Sequence, residues 1–196
     1  MELSFITKQG AAFESVFDQL AALRIRVFRD YPYLYEGTVE HEREYLKVYA
    51  KAEQSFLFGV MDGQQLVGAT TAIPLANETP DVQEPFLKAG MDIERIFYFG
   101  ESILLSAYRG LGLGNRFFDE REAHARRLGH YTHTCFCGVV RPADHPAKPH
   151  DYRPLDEFWT KRGYLRQPQL QSQFEWLDLG DSTPTIKPMV YWMRPL

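Results

Sequence analysis

Three glycines fall within Arg109-Gly110-Leu111-Gly112-Leu113-Gly114, between an apolar stretch ending at Leu105 and a segment of helical spacing beginning at Gly112. Glycine lets a backbone approach a ligand closely and adopt φ angles that other residues avoid. The first N–H groups of a helix have no internal partners and sit at the positive end of its dipole. Together these features suit a pyrophosphate. The pattern narrows which one. A P-loop ends in Gly-Lys-Ser/Thr, whereas Gly114 is followed by Asn115 and Arg116. The dinucleotide pattern G-x-G-x-x-G also fails, because its last glycine would fall on Asn115 or on Phe117. What fits is Arg-x-x-Gly-x-Gly, read on Arg109, Gly112 and Gly114.

A second chemical candidate lies just upstream. Glu101 interrupts the aromatic and aliphatic run Ile-Phe-Tyr-Phe-Gly-Glu-Ser-Ile-Leu-Leu. Strand alternation puts it on the face of Phe97, Phe99 and Ile103. An apolar setting raises a carboxylate toward the range useful to a general base; an ion-pair or hydrogen-bonding role is the alternative. His133, Cys135 and Cys137 share a strand face. Neighbours two apart on a strand are about 6.5–7 Å apart, awkward for one tetrahedral metal, so no metal is expected. Small buried hydrophobes are the favoured reading of the cysteines, ahead of an acyl-carrying nucleophile.

These residues need a frame. Glu2 to Thr7, Ser55 to Met61, Gln65 to Leu75, Ile96 to Leu105 and Tyr131 to Val140 read as strands, with Asp62-Gly63 as a hairpin turn. Phe174 to Leu179 and Met189 to Met193 read as a closing strand pair. Helical spacing covers Phe13 to Arg29, Val39 to Ala52, Gly112 to Leu128 and Leu155 to Arg162. The order β-α-α-β-β-β-α-β-α-β-β predicts an α/β (α+β) fold with a mixed sheet, antiparallel early and with one late crossover. One domain spanning 1–196 is expected, since no linker or repeat divides the chain.

Loop, flanking elements and overall order resemble the GNAT superfamily of N-acetyltransferases. The resemblance implies a mostly antiparallel sheet of about six to seven strands flanked by about four helices. It implies acetyl-CoA as acyl-donor cosubstrate, with direct transfer to a primary amine of a small molecule or peptide. An acyl-CoA-binding sensor without catalysis is the alternative. By resemblance, the backbone from Arg109, Gly110, Leu111, Gly112, Leu113, Gly114 to Asn115 holds the pyrophosphate. Ile103, Leu104 and Leu105 pair with the pantetheine amides as an added strand. Phe158 and Trp159 line the far side of the cofactor. Glu101 lies two residues beyond the position where a strand glutamate base often stands, which is Phe99 here. The family's acid tyrosine falls on Trp159, and an indole cannot serve as an acid near neutral pH. Tyr152 is the candidate substitute, with Tyr108 or a water behind it.

In this fold the acceptor enters between early helices and a late loop. Arg29 to Glu36 is aromatic and rigid, and Arg141 to Pro154 is long, charged and proline-stiffened. Tyr31, Tyr33, Arg141, Asp144 and His145 are the candidate acceptor contacts. With 22 basic and 26 acidic residues the net charge is −4, which argues against general nucleic-acid binding. No apolar run approaches the roughly 18 residues of a membrane span. The N-terminus lacks a charged-then-apolar leader pattern and the two cysteines are poorly spaced for a bond, so a cytoplasmic location is expected. GNAT-like domains often dimerise, so a homodimer is possible, though no sequence feature specifies an interface.

Overall fold

The computed structural model describes residues 2–196. Seven strands form one sheet: β1 (Leu3–Lys8), β2 (Phe56–Asp62), β3 (Gln65–Pro74), β4 (Ile96–Leu104), β5 (His133–Val139), β6 (Leu165–Trp176) and β7 (Thr185–Pro195). Their spatial order is β1, β2, β3, β4, β5, β7, β6. Every neighbouring pair is antiparallel except β4 with β5. Five helices flank it: α1 (Phe17–Phe28), α2 (Val39–Lys51), α3 (Pro80–Lys88), α4 (Leu113–Leu128) and α5 (Asp156–Lys161).

Two apolar layers hold the sheet. On one face Leu20 and Leu23 of α1, Leu46 and Tyr49 of α2 and Phe86 of α3 pack with Ile96, Tyr98 and Ile103 of β4. On the other, Leu113, Phe117 and Phe118 of α4 pack with Phe97 and Phe99 of β4 and Phe136 of β5. Helix ends follow local chemistry. Thr38 caps α2 by accepting from the His41 N–H. Gly129 closes α4 in the left-handed region at φ +80°.

Two elements differ most from the sequence expectation. β6 starts at Leu165, nine residues before the expected Phe174, through a polar segment containing Pro168. It is an edge strand bonded only to β7, and a register shift between Gln167 and Gln171 accommodates the proline. Helix α3 was not anticipated. Pro80 at its first turn and the Val82/Phe86 pair are its only local signals, and Pro85 inside it argues against a helix.

The decisive irregularity is on β4. Phe99 pairs with Ala72 and Ser102 with Thr70, so Gly100 and Glu101 together oppose Thr71. This two-against-one bulge resets the alternation. Phe97 and Phe99 face α4, whereas Glu101 and Ile103 face α1 and α2. The expectation that Glu101 shares a face with Phe97 and Phe99 is therefore corrected. Gly100 is required here. A Cβ on it would lie 2.0 Å from Tyr49 Oη and 2.7 Å from Thr71 Oγ1. Tyr49 is fully buried and its hydroxyl is 2.9 Å from Glu78 Oε1, so it has no room to retreat. Gly100→Ala should lose about 1–3 kcal/mol of stability, measured by urea unfolding.

Candidate active site

β4 and β5 pair only from Ile96 to Tyr98 against His133 to Cys135, and then diverge. Beyond Tyr98 the β4 edge toward β5 carries no ladder partner, and a cleft of about 510 Å³ opens there. One wall is built by Leu104, Gly114, Phe117, Phe118, Phe158 and Trp159, from the β4 end, α4 and α5. The opposite wall is built by Phe28, Tyr31, Tyr33, Val139, Arg141 and Tyr152. Glu101 lines the cleft as well.

The glycine loop rims the first wall. Gly110 and Gly112 adopt φ +81° and +78°, so a side chain at either is strained. Gly112 is the N-cap of α4, and Asn115 N and Arg116 N make the first bonds of the helix, to Gly112 O. The N–H groups of Leu113 and Gly114 precede those bonds. Leu111 is exposed, while Leu113 is buried in the core beneath the loop. Arg109 is exposed and lies 3.7 Å from Asp30. Asn115 accepts a 3.4 Å bond from Arg162. Ile103 is buried by its side chain and sits opposite Ala69 on β3. The Leu105 N–H donates to Val67 O at 3.0 Å, so Leu104, between them, turns its backbone to the other edge, where its carbonyl accepts from Arg109 Nε at 3.4 Å.

Glu101 is in a charged setting, contrary to the apolar one expected from its strand neighbours. Arg24 of α1 donates to Glu101 Oε2 at 2.5 Å and also to Glu42 of α2. Arg24 packs its guanidinium over the rings of Tyr45 and Phe28. Burial works against the Arg24 charge, but Glu101, Tyr45 and Glu42 hold its pKa well above the usual value. The Glu101 side chain is 2 % exposed. Its Oε1 has no hydrogen-bond partner. A buried carboxylate oxygen without a partner is an acceptor waiting for a donor.

The candidate proton donors separate clearly. Tyr152 lines the cleft with its ring edge-on to Tyr31, 4.7 Å between centroids. Burial, then Tyr31 and Asp156, raise its hydroxyl above the usual value, so it keeps its proton at neutral pH. Tyr108 points elsewhere, donating to Asp62 at 2.7 Å. Trp159 packs across Gly138 and edge-on to Phe136 and Trp192. Phe158 packs against Phe118. Cys137 lines the cleft, but burial pushes its thiol up to about 12, too high for a standing thiolate nucleophile.

Among the candidate acceptor contacts, Tyr31, Tyr33 and Arg141 reach the cleft. The Arg141 guanidinium is already engaged, by Pro32 O, Tyr33 O and both oxygens of Asp178. It clasps the late loop to the Tyr31–Tyr33 segment and the β6–β7 hairpin. Asp144 and His145 do not line the cleft; Asp144 is exposed, and the His145 ring lies 5.7 Å from that of Tyr31. Sequence reasoning missed Arg24 and Arg121. The available signal was a charge inside an apolar helical stripe: Arg24 between Leu20 and Phe28, and Arg121 between Phe117 and Ala125.

No protein-family model matches the sequence, and no curated protein matches it. Solved structures do. A GNAT-family acetyltransferase from Streptococcus pneumoniae is similar at 12 % identity and a TM-score of 0.60, covering 100 % of each chain. A ribosomal-protein-alanine N-acetyltransferase from Brucella melitensis is similar at 13 % identity and a TM-score of 0.61, covering 97 % of this chain and 99 % of the other. Arabidopsis thaliana NAA60, in complex with a bisubstrate analogue, is similar at 11 % identity and a TM-score of 0.61, covering 98 % and 99 %. The chain has the GNAT fold.

Proposed function

We propose, on the premise of that fold, that the protein is an N-acyltransferase moving an acetyl group from acetyl-CoA to a primary amine of a small molecule or peptide. Transfer is direct, within a ternary complex. The observation that carries this reading is the divergence of β4 from β5. It leaves an unpaired strand edge beside a glycine-rich helix start, in a cleft lined by aromatic rings and by Glu101.

Each part has a job. Within Ile103 to Leu105, Leu104 turns its backbone away from β3 toward the pantetheine amides, since the Leu105 N–H is already given to Val67 O. In the loop from Arg109 to Asn115, whose end N–H groups bond Ser106 O and Gly112 O, the N–H groups between them are offered to the pyrophosphate. Phe117, Phe118, Phe158 and Trp159 supply apolar surface along the donor. On the acceptor side, Phe28, Tyr31 and Tyr33 suit the stem of an amine and its cationic head. An alkylammonium has a pKa of about 10, so it must lose a proton before attack. Glu101 Oε1 is the base for that proton. Tyr152, edge-on to Tyr31, orients the acceptor.

Calorimetry with acetyl-CoA, coenzyme A and NADH tests the donor assignment. Both coenzyme A compounds should bind and NADH should not. Gly112→Trp should abolish that binding, since it combines strain at φ +78° with a bulky ring at the loop. Absence of binding by either coenzyme A compound would falsify the assignment. A thiol-release assay over a panel of amines then separates catalysis from sensing.

A further inference from the structure

Arg121 of α4 occupies a core position and is 2 % exposed. Its guanidinium sits 4.1 Å from the Phe99 ring centroid and 4.7 Å from that of Phe118. Nε donates to Phe117 O at 3.2 Å and Nη1 to Glu101 O at 3.3 Å. Both partners are neutral carbonyls. Among the described residues no carboxylate forms an ion pair with it. The buried guanidinium of Arg24 has Glu42 and Glu101, and that of Arg141 has Asp178. Glu122, the neighbour of Arg121 on α4, faces Arg162, Arg126 and Arg194 instead. The other titratable groups nearest Arg121 are Tyr164, Tyr49 of α2 and the Glu101 carboxylate, which points to the opposite face.

A buried charge without an ion-pair partner is costly, and aromatic faces offset only part of that cost. Burial lowers Arg121 to about 10, which still leaves it protonated at neutral pH. An apolar residue would fill this position at lower cost unless an anion visits it. The geometry says where. Arg121 lines the cleft. It touches the carbonyl of the bulge residue whose side chain is the base. The opening between β4 and β5 therefore carries a carboxylate on the acceptor side and an unpaired cation on the donor side.

We propose that Arg121 is the counter-charge for the coenzyme A sulfur as it leaves. This inference rests on the acyl-transfer reading above. The amine nitrogen attacks the thioester carbonyl carbon, forming C–N, and the C–S bond breaks with its electron pair going to sulfur. Of the two protons lost by the ammonium, one passes to Glu101 before attack and one to solvent on collapse. The sulfur departs as a thiolate: the Trp159 indole is no acid, and the Tyr152 hydroxyl, raised above its ordinary value by burial, is a weaker acid than a thiol. A buried guanidinium stabilises the thiolate without giving up a proton.

The test is an equilibrium one. Coenzyme A with a free thiol is bound to the wild-type protein, and the thiolate ultraviolet band is followed through a pH titration as a difference from free protein. The bound thiol should titrate about one pH unit or more below free coenzyme A. Arg121→Met should return it to the free value, while Arg121→Lys keeps most of the shift. Turnover by Arg121→Met should fall about 10²-fold. An unshifted thiol in the wild type overturns the proposal even if Arg121→Met fails to fold, and so does a shift that survives Arg121→Met. Calorimetry on the same samples separates the two levels. Lack of coenzyme A binding defeats the acyl-transfer reading, whereas binding with an unshifted thiol defeats only the role of Arg121.

Discussion

Glu101→Gln should lower turnover by about 10²- to 10⁴-fold with little change in acetyl-CoA affinity, the range spanned by removal of a general base. Glutamine keeps the shape of the side chain but cannot take the ammonium proton. The wild-type carboxylate is divided in its duties: Oε2 is held by Arg24, while Oε1 is buried without a hydrogen-bond partner. The substitution also weakens an ion pair, so it needs a matched control. Glu42→Gln removes the other carboxylate bound to the same guanidinium, yet Glu42 does not line the cleft. It should perturb stability comparably and leave turnover within a few-fold of wild type. Steady-state kinetics on both variants decide the matter. Equal losses would mean that the ion cluster, not proton abstraction, limits the rate, and an unchanged rate in Glu101→Gln would remove Glu101 as the base.

The largest stability effect is expected at Arg24. Arg24→Met leaves Glu42 and Glu101, with side chains 1 % and 2 % exposed, without the counter-charge they share. Removing one partner of a buried ionic cluster costs about 3–5 kcal/mol. For a chain of this length that is a fall of roughly 6–20 °C in Tm. Part of the loss comes from packing over Tyr45 and Phe28, about 1 kcal/mol or less for each ring. The two contributions can be told apart. Adding Glu42→Leu and Glu101→Leu to Arg24→Met should recover most of the stability, because orphaned charges, not lost contacts, dominate the cost. Urea unfolding of the single and triple variants measures it. No recovery in the triple variant would mean that packing dominates instead.

These two experiments also locate the limit of what was legible in the sequence. The loop could be read because its information is local. Glycines at φ +81° and +78° and a helix start immediately after them are properties of a few consecutive residues. The antiparallel early sheet and the late β4–α4–β5 crossover were legible for a related reason, since the period of apolar residues reports one element at a time. The polar edge strand β6 was largely hidden because an edge needs little hydrophobic pattern.

Glu101 shows what local pattern does not hold. Its position on a strand and its polarity among apolar neighbours are plain in the sequence. Its face and its charge partners are not, because a single extra residue in β4 opposite Thr71 inverts the alternation. Arg24 and Arg121 lie 97 residues apart in sequence (121 − 24) and meet the same strand from opposite sides. The sequence by itself determined the donor loop and the order of elements, since both are built from neighbours in the chain. Only the tertiary structure decided that the carboxylate would face one helix layer and an unpaired guanidinium the other. Charge compensation in a buried cleft is a relation between distant segments, and it exists only once they have packed.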